Sequence, residues 1–221
     1  MTADTTRAAG RIVGGLLLSG FGLYGGGSAL VKAATGGRTA VPENAASPGR
    51  LSTGATLVLA NSAAVAGIGV LGARVLRHGA RRTARVYLGA RIAEATLLAG
   101  PPASTLCLVA LARRGVRPSD DTGPALRVAA RAVLEKSETT YWLAMTTLGA
   151  GSVLFCRALL NRGLMPRPLA VWGMAGYTVF AAGGVLQLAG HEVGLPLSIP
   201  GGLFEGVAGT YLLIKGFSAD A

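Results

Sequence analysis

Six apolar runs, at about 12–31, 52–71, 86–111, 139–160, 168–189 and 199–217, hold most of the chain's hydrophobic positions. A hydrocarbon core about 30 Å thick needs roughly 20 apolar residues at about 1.5 Å of helical rise each. Lipid also obliges the backbone to satisfy its own hydrogen bonds, so runs of this length are read as helices. The pattern predicts an all-α polytopic transmembrane bundle of six helices, one integral membrane domain over residues 1–221. The first run follows Arg7 and Arg11 and is longer than the apolar part of a secretory signal, so it reads as a span.

The connections carry their own signals. Residues 32–50, with Gly36, Gly37, Pro42 and Pro48, read as an irregular loop. Arg74, Arg77, His78, Arg81, Arg82 and Arg85 form a basic turn. Pro101 and Pro102 remove helical donors inside the third run and predict a kink there. The polar stretch from Arg113 to Glu138 opens with Pro118, Ser119, Asp120 and Asp121. From Pro124 onward, Leu126, Ala130, Val133 and Leu134 fall on one side and Arg127, Arg131 and Glu135 on the other. A short amphipathic helix is expected before the fourth span, lying at the interface or extending that span.

Composition sharpens this picture. A chain that is 51% hydrophobic and 14% charged suits the bilayer better than a soluble domain. Its net charge of +11 would suggest nucleic acid in a soluble protein, but Lys and Arg cluster where apolar runs end. That distribution belongs to loops beside lipid headgroups, so no nucleic-acid partner is expected. Both termini fall on one side of six spans, and that side carries slightly more Lys and Arg, which favours cytoplasmic termini.

Glycine, at 34 of 221 residues, suits backbone-to-backbone helix contacts and is explained equally well by codon bias. The candidate small-xxx-small pairs are Gly10 with Gly14, Gly22 with Gly26, and Gly202 with Gly206. The two cysteines and two histidines lack ligand spacing, so neither a metal site nor a cofactor is expected. Cys107 and Cys156 come out on the order of 20 Å apart in depth, too far for a disulfide.

The chemistry lies in the third run, where Arg91 and Glu94 interrupt otherwise apolar or small residues. Ionisable groups inside a span are costly and usually functional. Three apart, the two share a helical face and can pair. Counted by rise, Arg91 lies about 8 Å deep, Glu94 about 12 Å and Glu205 of the sixth run roughly 18 Å. Asn61 and the Thr146, Thr147 pair fall at comparable depth, which suggests one central polar pocket if the third and sixth spans are neighbours.

Hydrocarbon disfavours a charged carboxyl and a second carboxyl adds to the effect, while Arg91 opposes it. The expected outcome is Glu94 ionised against Arg91 and Glu205 protonated, an acid and a base in one site. The same residues also suit interhelical glue with no chemistry.

Around these three, Asn61, Tyr87, Tyr141, Thr146, Phe204 and Gln187 are candidate substrate-binding residues. Tyr87 lies one turn before Arg91 on its face. Tyr141, with Trp142, Trp172, Tyr177 and Tyr211, suits an interfacial belt or ordinary packing equally. His191 and Glu192 read as a solvated turn.

The run from Tyr87 through Gly89, Arg91 and Glu94 resembles the aromatic-x-G-x-R-x-x-E tract of a group of bacterial six-pass membrane proteins, domain of unknown function 4386. Two further stretches agree: Gly163 to Gly173, and Ile199 through Gly201, Gly202, Phe204 and Glu205 to Phe217. The resemblance covers roughly Arg85 to Phe217 well and the first two spans loosely. It implies six spans, a bacterial cytoplasmic membrane, and a common site for Arg91, Glu94 and Glu205. It departs at Asn61, where an acidic residue is common, and in the polar stretch before the fourth span. The family label carries no activity.

Three functions fit these expectations. The first is an intramembrane acid/base enzyme acting on a lipophilic small molecule of isoprenoid or terpenoid type, by analogy of site logic with membrane terpene cyclases. Aromatic residues at only 5% count against strong carbocation stabilisation. The second is a membrane sensor or partner protein that binds a lipid or small molecule. The third is a small proton-coupled transporter, for which matched helix breaks and a homo-oligomer would be expected.

Overall fold

The computed structural model describes residues 2–35, 48–113, 123–193 and 195–218, and among them every regular element is helical. Thr2 caps the first helix, its hydroxyl accepting from the Thr5 N–H at 3.4 Å, and Asp4 complements the helix dipole. This helix, α1 (Ala3–Gly20), runs into a π-helical turn at Phe21–Gly26 and continues as α2 (Gly27–Thr35). Together they make the first span. The others are α3 (Pro48–Leu76), α4 (Arg81–Arg113), α5 (Gly123–Asn161), α6 (Arg167–Leu188) and α7 (Ile199–Lys215), the last preceded by a 3-10 turn at Leu195–Ser198.

Six segments among these are long and apolar enough to cross a membrane. The helices outrun the apolar runs because polar flanks continue the helical hydrogen bonding. Helix α4 continues through Pro101 and Pro102, which lie inside it. Helix α5 has 39 residues and is about 58 Å long, roughly twice the hydrocarbon thickness. Its first part takes up the segment from Pro124 as an extension of the fourth span. The amphipathic faces of that segment, the turn at 118–121 and the loop centred on Pro42 lie outside the described residues or side chains. The last helix stops at Lys215, where Gly216 turns with φ 74° and Phe217 folds back into the interior.

Each span packs against the next in sequence, and α7 returns to pack against α1, closing a six-membered ring. Spans three and six are therefore not neighbours: α4 and α7 make no backbone approach and stand on opposite walls.

At one end of the ring lie the chain ends, the α3–α4 turn and the α5–α6 turn. Gly79 sits against Arg162, Ser218 N–H donates to the Leu164 carbonyl at 2.9 Å, and Gly216 abuts the Arg7 backbone. This terminal end is solid. Tyr87, Leu76, Val13, Leu159, Leu212, Cys156 and Phe217 are fully buried in it. The Phe155 ring stacks on Tyr87 at 4.1 Å and meets Phe217 edge-on at 6.4 Å.

The closing contact depends on glycine. A Cβ on Gly14 would stand 2.5 Å from the Gly209 carbonyl oxygen of α7, and one on Gly10 would strike the backbone of Gly216 and Phe217. Of the three expected pairs, this one joins two helices. Gly22, Gly26, Gly202 and Gly206 have nothing within 4 Å of a would-be Cβ.

Gly14→Ala is expected to lower stability by about 1–3 kcal/mol through overpacking at this seam, whereas Gly206→Ala is expected to be neutral or slightly stabilising. Thermal unfolding of both variants in detergent, followed by circular dichroism, checks the difference.

Candidate functional site

The i, i+3 and i, i+4 spacings put Tyr87, Arg91 and Glu94 on one strip of α4 facing the ring interior. Arg91 is 4% exposed and Glu94 is 2% exposed. Arg91 Nη1 meets Glu94 Oε2 at 3.0 Å, and Nε–H donates to the Tyr87 hydroxyl at 3.1 Å. The guanidinium also lies 5.5 Å from the Tyr87 ring centroid, and Tyr87 is itself fixed by its stack on Phe155. Gly69 of α3 makes room for this arrangement, since a Cβ there would come within 2.5 Å of the Arg91 Cβ.

On the opposite wall Glu205 of α7 accepts a hydrogen bond from the Tyr177 hydroxyl of α6 at 2.8 Å. Tyr177 is buried and held edge-on against Phe204, with ring centroids 5.4 Å apart. Glu205 is half-buried and, like Arg91, lines the space between the walls.

Between the walls is a cavity of about 280 Å³. All six spans line it: Leu16, Gly20, Phe21 and Tyr24 from the first, Asn61, Val65 and Ile68 from the second, and Arg91, Glu94 and Leu98 from the third. Tyr141, Met145 and Leu148 come from the fourth, Phe180 from the fifth, and Ser198, Gly202 and Glu205 from the sixth segment. By helical rise, Arg91 and Glu205 stand about 15 Å above the terminal end, while Tyr24, Tyr141 and Ser198 lie farther from it. The charges thus mark the boundary between a solid half and a hollow half. Tyr24 and Tyr141 stack at 5.8 Å within the hollow half.

Polar capacity is left over. An arginine has five N–H donors, of which two are used here. Asn61 is 6% exposed and its side chain has no hydrogen-bond partner among the described residues. Ser152 of α5 is buried with its hydroxyl unpaired. Ser152 does not line the chamber, whereas the spare Arg91 donors and the Asn61 amide do and are suited to meeting a ligand or water there.

Of the residues expected from sequence, Arg91, Glu94, Glu205, Asn61 and Tyr141 line the cavity, and the others do not. Tyr87 lies beneath Arg91 and Phe204 behind Tyr177. The Thr146 hydroxyl donates to the Trp142 carbonyl at 2.9 Å and lies against Gly184 of α6. Gln187 Oε1 accepts from the Val193 N–H at 3.1 Å, pinning the loop after α6. Sequence reasoning missed Phe21, Tyr24, Phe180 and the hydrogen bond from Tyr177. The glycine-rich run around Tyr24 was the available signal for an irregular, site-forming turn. Both cysteines are free thiols, and no cluster of three His, Cys, Asp or Glu side chains gathers among the described residues.

A ring of apolar helices with an ion pair at the base of an internal chamber defines a multi-pass membrane protein with a polar interior site. Residues 12–216 match the family described as Domain of unknown function (DUF4386), and the chain belongs to that family. No curated protein and no solved structure matches it.

Breaking the buried pair from one side strands a charge. Arg91→Leu or Glu94→Leu alone is expected to cost about 3–5 kcal/mol, and the double variant to recover most of that loss. Equilibrium unfolding of the three variants in lipid nanodiscs measures the coupling. A double variant as unstable as the two singles combined would refute it.

Proposed function

We propose that the protein is an intramembrane acid/base enzyme acting on a lipophilic small molecule of isoprenoid or terpenoid type. The observation that carries this reading is the pair of carboxyl groups on opposite walls of one apolar chamber, each with a different partner. Glu94 is matched to Arg91, which favours its ionised form as a base. Glu205 meets the neutral Tyr177 hydroxyl, an arrangement suited to a protonated acid whose carbonyl oxygen accepts from Tyr177.

In this scheme the Glu205 carboxylic acid gives its proton to an alkene carbon or an ether oxygen of the substrate. The Glu94 carboxylate then takes a proton from a neighbouring carbon, so the substrate is isomerised without net gain or loss, and the proton on Glu94 returns to the Glu205 carboxylate across the chamber before the next turnover. Apolar walls keep water from quenching the intermediate. Asn61 orients the polar end, Tyr141 lines the part of the chamber away from the charges, and Tyr87 positions Arg91 from below. The chemistry needs no cofactor.

The size of the chamber supports a small substrate. An apolar cavity of about 150 Å³ holds benzene, so about 280 Å³ suits roughly ten carbons within the chamber. The location we infer is the cytoplasmic membrane of a bacterium, with both termini in the cytoplasm and the hollow half toward the other face.

A second reading is favoured by the unpaired Asn61 amide: a sensor that binds the same kind of molecule without turning it over. A proton-coupled carrier, which would need to form a homo-oligomer, ranks below both because the ring is solid at its terminal end.

Glu94→Gln and Glu205→Gln separate these readings in protein purified with its lipids. Loss of product with the lipophile still co-purifying, read by mass spectrometry, is expected for the enzyme. Loss of the bound molecule alone would indicate the sensor, and proton flux in liposomes would indicate the carrier.

A further inference from the structure

The wall of the chamber is incomplete between the first and last spans. At the terminal end α1 and α7 touch backbone to backbone at Gly14 and Gly209. Past that contact they part, and nothing lies within 4 Å of a Cβ on Gly22, Gly25, Gly202 or Gly206. The π turn begins at this level, and its irregular hydrogen bonding and four residues of Gly or Tyr in six make it the most deformable stretch of the span.

Phe21 opens this turn. It is 49% exposed, yet together with Gly202 it lines both the internal chamber and a second, more open groove on the outer face of the seam. The outer groove is walled by Leu18, Leu203 and Val207, a surface suited to lipid. One aromatic ring therefore stands as the partition between the site and the bilayer.

Charge gives way to apolar lining along the path to the seam. The charges lie at the floor, and the buried and unpartnered Asn61 amide comes next. Leu98 and Met145 follow, and then Phe21 and the hydrocarbon-facing groove. A chamber of about 280 Å³ accommodates one hydrocarbon chain and not the two of a diacyl lipid.

We propose that the seam between the first and sixth spans is a lateral portal gated by Phe21, through which a single-chain amphiphile enters from the bilayer. Its polar end lies at Arg91, Glu94, Glu205 and Asn61, and its tail passes Phe21 into the groove. This portal presupposes the reading above, in which the chamber holds a lipophilic molecule.

The test uses the full chain in nanodiscs of phosphatidylcholine and phosphatidylglycerol, with farnesol carrying a photoreactive diazirine and adducts mapped by mass spectrometry. The native chain is expected to be labelled at Leu98 and Met145 inside and at Val207 outside. Gly202→Trp is expected to slow the inside labelling about tenfold, a barrier higher by about 1.4 kcal/mol, and to leave Val207 labelling unchanged. Phe21→Ala is expected to quicken inside labelling several-fold. Gly89→Trp, on the exposed outer face of α4 with nothing within 4 Å, is expected to change neither.

Equal inside labelling in the native chain, Gly202→Trp and Phe21→Ala would overturn the portal while leaving the chamber as a lipophile site. Absence of inside adducts in the native chain would overturn both. Inside labelling by a diacyl phosphatidylcholine carrying the diazirine on one tail would overturn the assignment to a single-chain molecule.

Discussion

A guanidinium in hydrocarbon must be surrounded by partners before the helix that carries it can reside there. Arg91 meets that constraint within its own helix, with Tyr87 one turn before it and Glu94 one turn after. Much of the neighbouring architecture follows from that strip. Gly69 on α3 has no side chain, which lets the Arg91 stem lie against it, and Phe155 on α5 supplies the flat surface that holds Tyr87. The charges then face inward, and a ring of helices around them is the arrangement that shields them from lipid. Arg91, Glu94 and Glu205 line the cavity on its opposite walls, and apolar packing fills the ring on the terminal side.

Much of this was legible in the sequence, for reasons that are local. Span number follows from run length alone, and the pairing of Arg91 with Glu94 follows from helical geometry, which needs no tertiary knowledge. The depth count put Glu205 and Asn61 in the same middle stretch as the pair because rise per residue is nearly invariant, and all four line one cavity, with Asn61 standing beyond the charges.

What failed was lateral. Depth says nothing about which helix stands beside which, so spans three and six were expected as neighbours and are opposite walls instead. Orientation about the helix axis was equally hidden. Thr146 and Gln187 share the depth or polarity of site residues, yet one turns its hydroxyl back to Trp142 and the other ties down a loop. The π turn lies inside an unbroken apolar run, so the glycines around Tyr24 were its one signal and the shift in hydrogen-bond register left none.

The polar interior also bears on how such a chain is made. Arg91 carries its counter-charge three residues away, and Glu205 finds its phenol on the helix immediately before it. Each ionisable group thus has a partner that emerges before it or with it, a counter-charge for Arg91 and a hydrogen bond for Glu205. The glycine junction between the two ends of the polypeptide is different, since it waits for the final helix. Synthesis order therefore leaves a horseshoe open to lipid until the last helix arrives, and the contact of Gly14 with Gly209 then closes the terminal half of the ring.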